Sequence, residues 1–192
     1  TVANGPPAIT DVLLSPTDLY TNDTLTAEAI VADPDGDPLT VTYAFSVNGT
    51  VVQDSTSDTL SGATHFDKGD NVAVVVTADD GYDIDTQASI TLTVQNSLPT
   101  APGITLERPV DALICSIDEG STDADGDPIS YAFEWDVDGT VFTGTETTTY
   151  DDDTVPSDAV GYDETWTCEV TPHDGETTGP VAEATIDIGD GS

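Results

Sequence analysis

Apolar and polar residues alternate along much of this chain, as they do in β-strands that bury one face. The clearest run is Leu39–Val47, in which every second residue is apolar. An equivalent run, Ile129–Val137, follows later in the chain. Each run leads into Asn-Gly or Asp-Gly and then Thr-Val, which is a strong hairpin signal. The pattern therefore indicates two copies of one β-rich module.

A second pair of alternating runs begins at Val72 and at Trp166 and predicts the penultimate strand of each copy. The step from Leu39 to Val72 is 33 positions and the step from Ile129 to Trp166 is 37, so the second copy carries four extra residues. We place this insertion in a loop at Asp151–Asp153.

Predicted final strands run over Ala88–Val94 and Ala182–Ile188, and no long amphipathic helix is predicted. Proline-containing segments at 4–7 and 96–99 precede the copies and are predicted to be short linkers. Short strands separated by turn signals, about seven in each module of ~95 residues, are typical of a two-sheet sandwich. The sequence thus predicts an all-β chain of two tandem Ig-like antiparallel β-sandwich domains, residues 1–95 and 96–192.

The cysteines support this fold class. Cys115 lies in a predicted strand over Leu113–Ile117, Trp135 lies in the next strand, and Cys168 lies in the penultimate strand. The order Cys, Trp, Cys matches the inter-sheet disulfide of Ig-like sandwiches. A Cys115–Cys168 disulfide predicts an oxidising, extracytoplasmic setting, and two buried free thiols are the alternative.

The charge balance is extreme, because 38 acidic residues stand against two basic ones, Lys68 and Arg108, for a formal net charge of −36. Nucleic acid and anionic membranes would be repelled and are therefore poor partners. No apolar run approaches the length of a membrane-spanning helix. Cations are the expected partners, and adaptation to salty water, as in a halophilic or marine source, is the alternative explanation of the charge.

An Asp-x-Asp-Gly-Asp-Pro segment occurs once in each copy, and a second repeated acid, in Asp-Gly, follows each penultimate strand. These two loops lie at the same end of an Ig-like sandwich. The predicted ligands are Asp33, Asp35, Asp37 and Asp80 in the first copy and Asp123, Asp125, Asp127 and Asp174 in the second. Carboxylates converging from loops suit Ca²⁺ better than Mg²⁺, which demands octahedral geometry. A polar turn without an ion is the alternative, since Asp, Gly and Pro are common turn residues.

Three further acids are weaker candidates. Asp79 is replaced by His173 in the second copy, and Asp83 and Asp85 have no repeated partners.

The second copy resembles the calcium-binding Ig-like, PKD- and cadherin-like repeats of large bacterial and archaeal surface proteins. The resemblance rests on residues 123–128, on the alternating run at 131–139 and on the segment 166–175. The first copy departs from that pattern, because it lacks both the cysteines and the tryptophan. The resemblance implies an extracellular or cell-surface location and a role as a stalk, adhesin segment or filament subunit. It also implies ions at the junctions between modules, which places Asn96, and by analogy Asp190, near a junctional ion. Head-to-tail assembly with neighbouring repeats or copies of the same chain is the corresponding expectation.

The sequence offers no nucleophile motif, phosphate-binding loop or zinc spacing, so we do not expect an enzyme. A carbohydrate-binding accessory module of a secreted hydrolase is the alternative function; it would need exposed aromatics on one face, and the scattered candidates are Tyr20, Tyr82, Tyr150 and Tyr162. Asn22 and Asn48 begin possible N-glycosylation acceptor triplets.

Overall fold

A computed structural model describes residues 3–144 and 152–189 of the chain. The chain divides into two compact units, Thr1–Ser97 and Leu98–Ser192. Each unit consists of two sheets packed face to face around its own apolar core. The all-β, Ig-like class predicted from the alternation is confirmed.

The first unit is a succession of short strands with one helical turn before the penultimate strand. Its elements are β1 (Ala8–Ser15), β2 (Leu19–Tyr20), β3 (Thr24–Ala32), β4 (Thr40–Val47), β5 (Thr50–Ser55), β6 (Thr59–Ser61), α1 (Gly62–His65), β7 (Asn71–Asp79), β8 (Ile84–Ala88) and β9 (Leu92–Gln95).

The second unit repeats this order with fewer strands in the described residues. Its elements are β10 (Gly103–Glu107), β11 (Ala112–Glu119), β12 (Ser130–Val137), β13 (Thr140–Phe142), β14 (Asp152–Pro156), a 3₁₀ turn (Ser157–Ala159), β15 (Thr165–His173) and β16 (Ala182–Asp187). Across both described ranges, no helix has the length and apolar character needed to cross a membrane.

The sheets of the two units follow one plan. In the first unit β1, β3 and β6 form one sheet, and the other has the order β2-β9-β7-β4-β5, with β8 also paired to β7. In the second unit the sheets have the orders β10-β11-β14 and β13-β12-β15-β16. The predicted hairpins at Asn48-Gly49 and Asp138-Gly139 are present, and both residues of each turn have positive φ, as a type I′ turn requires.

The core of the first unit lies where the central strands of the two sheets face each other. Phe45 of β4 pairs with Val74 of β7, and both side chains are fully buried. Leu25 of β3 pairs with Leu60 of β6 and belongs to the same apolar cluster. Burying a side chain of this size contributes about 1.5–3 kcal/mol, which explains why the alternating rows determine the sandwich.

The core of the second unit contains a disulfide. Cys115 of β11 and Cys168 of β15 belong to different sheets and are bonded, so the predicted inter-sheet disulfide is confirmed. Trp135 pairs with Cys168 across β12 and β15, and its ring meets Trp166 edge-to-face at a centroid distance of 6.2 Å. In the first unit Val74 occupies the position equivalent to Cys168, because it pairs with Phe45 as Cys168 pairs with Trp135.

The structure corrects two details of the sequence prediction. Asp152 and Asp153 belong to β14 and not to a loop, while Asp151 lies outside the described residues. The buried Asp153 carboxylate accepts a hydrogen bond from Trp135 Nε1 at 3.2 Å, which offsets the cost of burying an acid in a strand.

The second correction concerns the final strand of the first unit, which the sequence predicts as one strand over Ala88–Val94. It begins earlier and is divided into β8 and β9. Ser89 lies in the break, and its hydroxyl accepts a hydrogen bond from the Val74 N–H at 3.0 Å. This contact takes the place of a backbone ladder bond and allows the chain to step from one strand segment to the next.

Replacing both Cys115 and Cys168 by alanine is expected to lower the free energy of unfolding of the second unit by about 4 kcal/mol, since their separation of 53 residues closes a long loop. Both tryptophans lie in the second unit, so tryptophan fluorescence during urea unfolding reports on this unit alone. An unchanged fluorescence midpoint in the double variant would contradict this expectation.

Candidate metal centre

The first acidic loop is organised by the side chain of its first aspartate. Asp33 Oδ1 accepts hydrogen bonds from the backbone N–H of Asp35 at 2.9 Å and of Asp37 at 3.0 Å. Gly36 turns the chain with a φ of +79°, a conformation that L side chains rarely adopt. The tight turn brings one carboxylate oxygen from each of Asp33, Asp35 and Asp37 to within 4.8 Å of the others.

The second acidic loop has the same construction. Asp123 Oδ1 accepts from the N–H of Asp125 at 2.8 Å and of Asp127 at 3.4 Å, and Gly126 has a φ of +78°. The carboxylates of Asp123, Asp125 and Asp127 likewise lie within 4.8 Å of one another. Two loops of unlike flanking sequence therefore fold to the same three-carboxylate cluster.

One oxygen of each cluster is buried without a hydrogen bond. Within the part of the chain that the structure describes, Asp33 Oδ2 and Asp123 Oδ2 are shielded from solvent and have no partner. The hydroxyl oxygen of Ser121, two residues before Asp123, is in the same state. Buried oxygens of this kind are costly unless something positively charged or hydrogen-donating reaches them. The donor set, made of hard carboxylate oxygens, fits a divalent cation such as Ca²⁺.

The electrostatics of the clusters favour a cation. Two like unit charges about 4 Å apart repel by about 1 kcal/mol in water and by about 4 kcal/mol at the effective dielectric constant of a protein surface. Each cluster contains three such pairs, and a bound divalent ion would replace this repulsion by attraction.

The segment that precedes the first sandwich lies against its acidic loop. The backbone N–H of Gly5 donates to Asp35 Oδ2 at 2.5 Å, and Asn4 Nδ2 donates to Asp80 Oδ2 at 3.0 Å. A cleft of about 550 Å³ is lined by Ala3, Asn4, Asp35, Asp37 and Tyr82. The acidic loop and the loop after β7 thus meet at one end of the unit, as the pairing of Thr40 with Asp79 requires.

Asp80 and Asp174 close their own turns. Asp80 Oδ1 accepts from the N–H groups of Tyr82 and Asp83, both at 2.7 Å. Asp174 Oδ1 accepts from Glu176 at 2.7 Å and from Thr177 at 2.6 Å. Neither acid belongs to a three-carboxylate cluster in the described residues. Their role as metal ligands therefore stays a prediction, while their role in the turn is observed.

The pKa of Asp80 lies below its usual range. The hydrogen bond from the Asp83 N–H is the main cause and the Asn4 side chain the next, whereas burial acts in the opposite direction.

Sequence reasoning missed why Asp79 in one copy corresponds to His173 in the other. Asp79 Oδ1 accepts the Gly81 N–H at 2.7 Å, and His173 Nδ1 accepts the Gly175 N–H at 2.8 Å. Both residues supply an acceptor to equivalent turns of the two units, which explains how an aspartate and a histidine can exchange at this position.

The remaining weak candidates also have structural contacts. Asp83 Oδ2 accepts from Asn4 Nδ2 at 3.3 Å, and Asp85 Oδ2 accepts from the Ile9 N–H at 2.7 Å, which connects β8 to β1.

Asn96 lies at the other end of the first unit. It directly follows β9, whose Val94 exchanges backbone hydrogen bonds with the Gly69–Asp70 turn before β7. Its Oδ1 accepts a hydrogen bond from Lys68 Nζ at 2.8 Å. An ammonium group at this oxygen disfavours a second cation there, so a junctional ion at Asn96 stays a prediction. Asp190 lies outside the described residues.

The two possible glycosylation sites lie in turns. Asn22 is exposed, with a φ of +71°. Asn48 is tied to its neighbours, because Nδ2 donates to Asp70 Oδ1 at 2.7 Å and Oδ1 accepts the Asn71 N–H at 3.0 Å.

Two of the tyrosines considered for carbohydrate binding lie at opposite ends of the first unit. Tyr20 lies at the end of β2 beside Gln95, and Tyr82 lies in the loop after β7, at the opposite end of the same unit. Tyr162 belongs to the second unit, and Tyr150 lies outside the described residues.

Comparisons with known proteins agree with the fold. No protein-family model matches the chain, and no curated protein matches it. A solved structure of chicken interferon gamma receptor alpha chain is similar over 97% of this chain and 100% of that one, with a TM-score of 0.53 and 10% identity. A two-domain fibronectin type-III segment of chicken tenascin (12% identity, 93% of this chain and 98% of that chain, TM-score 0.46) is also similar. A structure of chicken CNTN1 domains FN1–FN3 is similar as well (12% identity, 97% of this chain and 66% of that chain, TM-score 0.42). At such identities the likeness concerns the fold alone.

Because the folded-state pKa of Asp80 is lowered, this group adds stability that is present above its unfolded pKa of about 3.9 and is lost as the pH falls through the folded value. As the pH falls from about 5 to about 3, roughly one unit either side of that pKa, the melting temperature of the first unit is expected to decrease less in Asp80→Asn than in the parent protein. Calorimetry measures the melting temperatures. Equal slopes in the variant and the parent protein would contradict the lowered pKa.

Proposed function

We propose that this chain is a calcium-stabilised structural module of an extracellular or cell-surface assembly, in which two Ig-like sandwiches act as a rigid spacer, adhesin segment or filament subunit. The observation that carries the proposal is the paired set of three-carboxylate clusters, each with a buried and unpartnered oxygen. Calcium would be held by Asp33, Asp35 and Asp37 in one unit and by the equivalent acids in the other. Its contribution is charge neutralisation and loop rigidity, not chemistry on a substrate.

Calcium suits these clusters because it takes six to eight oxygen ligands at irregular geometry. Three aspartates supply part of that number, and backbone carbonyl groups and water would complete it. A general requirement for salt would not by itself organise three carboxylates in one turn, since screening acts on charges at any position. The repetition of the cluster at corresponding loops therefore supports specific ion binding.

An extracellular setting is supported by the chemistry of the second unit. The second unit contains the Cys115–Cys168 disulfide. Disulfides persist in oxidising compartments and are rare in reducing ones. The net charge of −36 also keeps such a protein apart from nucleic acid and anionic membranes. Tandem sandwiches of this type are common as structural or binding modules, and we propose end-to-end contacts with neighbouring repeats as the mode of assembly.

Saturating Ca²⁺ is expected to raise the melting temperature of both units relative to a chelator at constant ionic strength. The expected stabilisation is RT ln(1 + [L]/Kd), or about 2.7 kcal/mol per site when the ion is at a hundredfold excess over Kd. Differential scanning calorimetry measures the effect. Coincident melting curves would show that the clusters bind no ion specifically.

The variant Asp123→Asn removes the charge of the central ligand but keeps an oxygen that can accept the N–H groups of Asp125 and Asp127. We expect this variant to abolish the calcium-dependent gain in stability of the second unit. Tryptophan fluorescence during unfolding measures that stability. Asp158→Asn is the matched control, because Asp158 is an exposed aspartate of the same unit. An equal calcium response in the two variants would exclude the cluster as the binding site.

A further inference from the structure

Three rows of residues on the outer face of the larger sheet in the first unit carry no charged side chain on β4, β7 and β8. The register of β4, β7 and β8 aligns Ala44 with Val75 and Ala88 in one row, and Thr42 with Thr77 and Thr86 in the next. Further along, Ser46 lies beside Ala73 and Val51. We call these nine residues the neutral face.

The neutral face is accessible and partly apolar. Val75, at its centre, is 43% exposed, and Val51, at its β5 edge, is 58% exposed. Ile84, which pairs with Asp79 beside the last row, is 62% exposed. Acids lie at the borders of these rows, where Asp54 of β5 pairs with Ala44 and Asp79, at the end of β7, pairs with Ile84. Apolar surface gathered on one flat face typically marks an interaction site.

The corresponding face of the second unit has the opposite character. In the same register, Glu134 of β12, Glu169 of β15 and Glu183 of β16 lie directly beside one another. Like charges in directly opposed cross-strand positions are destabilising. The fold therefore accepts either kind of row, and the absence of charge in the first unit is a property of that module alone.

We propose that the neutral face is a contact surface for a second copy of this chain, packed face to face about a twofold axis. Each chain has a net charge of −36, so contact through acid-bearing surface would set carboxylates against carboxylates. A basic partner would be drawn to the glutamate row and not to the neutral face. A twofold contact places the neutral face of one copy against the neutral face of the other, which is the self-complementary arrangement that such interfaces require.

Salt dependence distinguishes this contact from contacts between charged groups. Added NaCl screens the repulsion between the two chains, with a Debye length of about 3 Å at 1 M, and leaves the neutral contact intact. Dimerisation is therefore expected to strengthen as NaCl increases and to persist when calcium is removed by a chelator. This behaviour is independent of the calcium clusters, which lie in the loops and not on this face.

Analytical ultracentrifugation of the full chain in high salt with chelator tests the proposal. We expect a monomer–dimer equilibrium that Val75→Glu weakens by at least about 100-fold in Kd, because two buried carboxylates would face each other across the twofold axis. The fold tolerates glutamate at this position, since Glu169 is its counterpart in the second unit. Circular dichroism of the variant checks that the sandwich is retained.

Leu13→Glu is the matched control. Leu13 is 47% exposed and lies in β1, which belongs to the other sheet of the same unit, so the variant makes the same change of charge away from the neutral face. We expect it to dimerise as the parent protein does. A parent protein that stays monomeric in high salt would overturn the proposal, and so would a folded Val75→Glu variant with an unchanged Kd.

Discussion

The convergence of three like charges in each Asp-x-Asp-Gly-Asp loop is the constraint on which the rest of this molecule's behaviour depends. Asp33 and Asp123 organise their loops by accepting backbone N–H groups with one oxygen, and this leaves the other oxygen buried and unpartnered. The chain has only two basic residues with which to balance 38 acids. The cation that we propose would resolve the local repulsion, and in the first unit it would stiffen the end of the sandwich at which the loop after β7 also lies.

The paired strands of each sandwich hold the acidic loops in place. Antiparallel pairing of β4 with β7, and of β12 with β15, brings the acidic loop and the Asp-Gly turn of each unit to the same end. The rows through Phe45 and Trp135 hold those strands in register by burying one side chain at every second position. The second unit adds the disulfide, whereas the first keeps Val74 at the equivalent place, so the two modules reach the same geometry with different cores.

Much of this was predictable because β-strand alternation has a period of two and the motifs are local. The rows through Phe45 and Trp135 and the clustering of Asp33 with its neighbours follow from short-range spacing. The Cys115–Cys168 bond joins residues 53 positions apart and follows from the Cys, Trp, Cys order once an Ig-like sandwich is predicted. Features that depend on three-dimensional pairing were not predictable. The sequence predicts a loop at Asp153, and only the contact of its carboxylate with Trp135 Nε1 shows why an acid is tolerated in the buried strand.

The division of the final strand at Ser89 likewise needed the observed hydroxyl contact with the Val74 N–H. The neutral face emerges only when the register places Ala44, Val75 and Ala88 in one row, since these residues lie far apart in the sequence. The recurrence of Asp80 as Asp174 predicts a metal ligand, but the same recurrence is also explained by the turn that each residue closes. Local hydrogen bonding to N–H groups and ion binding draw on the same residue type, so sequence alone does not separate them.

Isothermal titration of Ca²⁺ into the metal-free chain in about 1 M NaCl is the most direct test of the central claim, because screening at this ionic strength removes diffuse attraction to acidic surface and leaves only built sites. The two clusters predict a heat of binding that saturates at about two ions per chain. Asp33→Asn or Asp123→Asn is expected to reduce the number of bound ions to about one per chain. Calcium binding that fades with added salt and shows no saturable stoichiometry would contradict it.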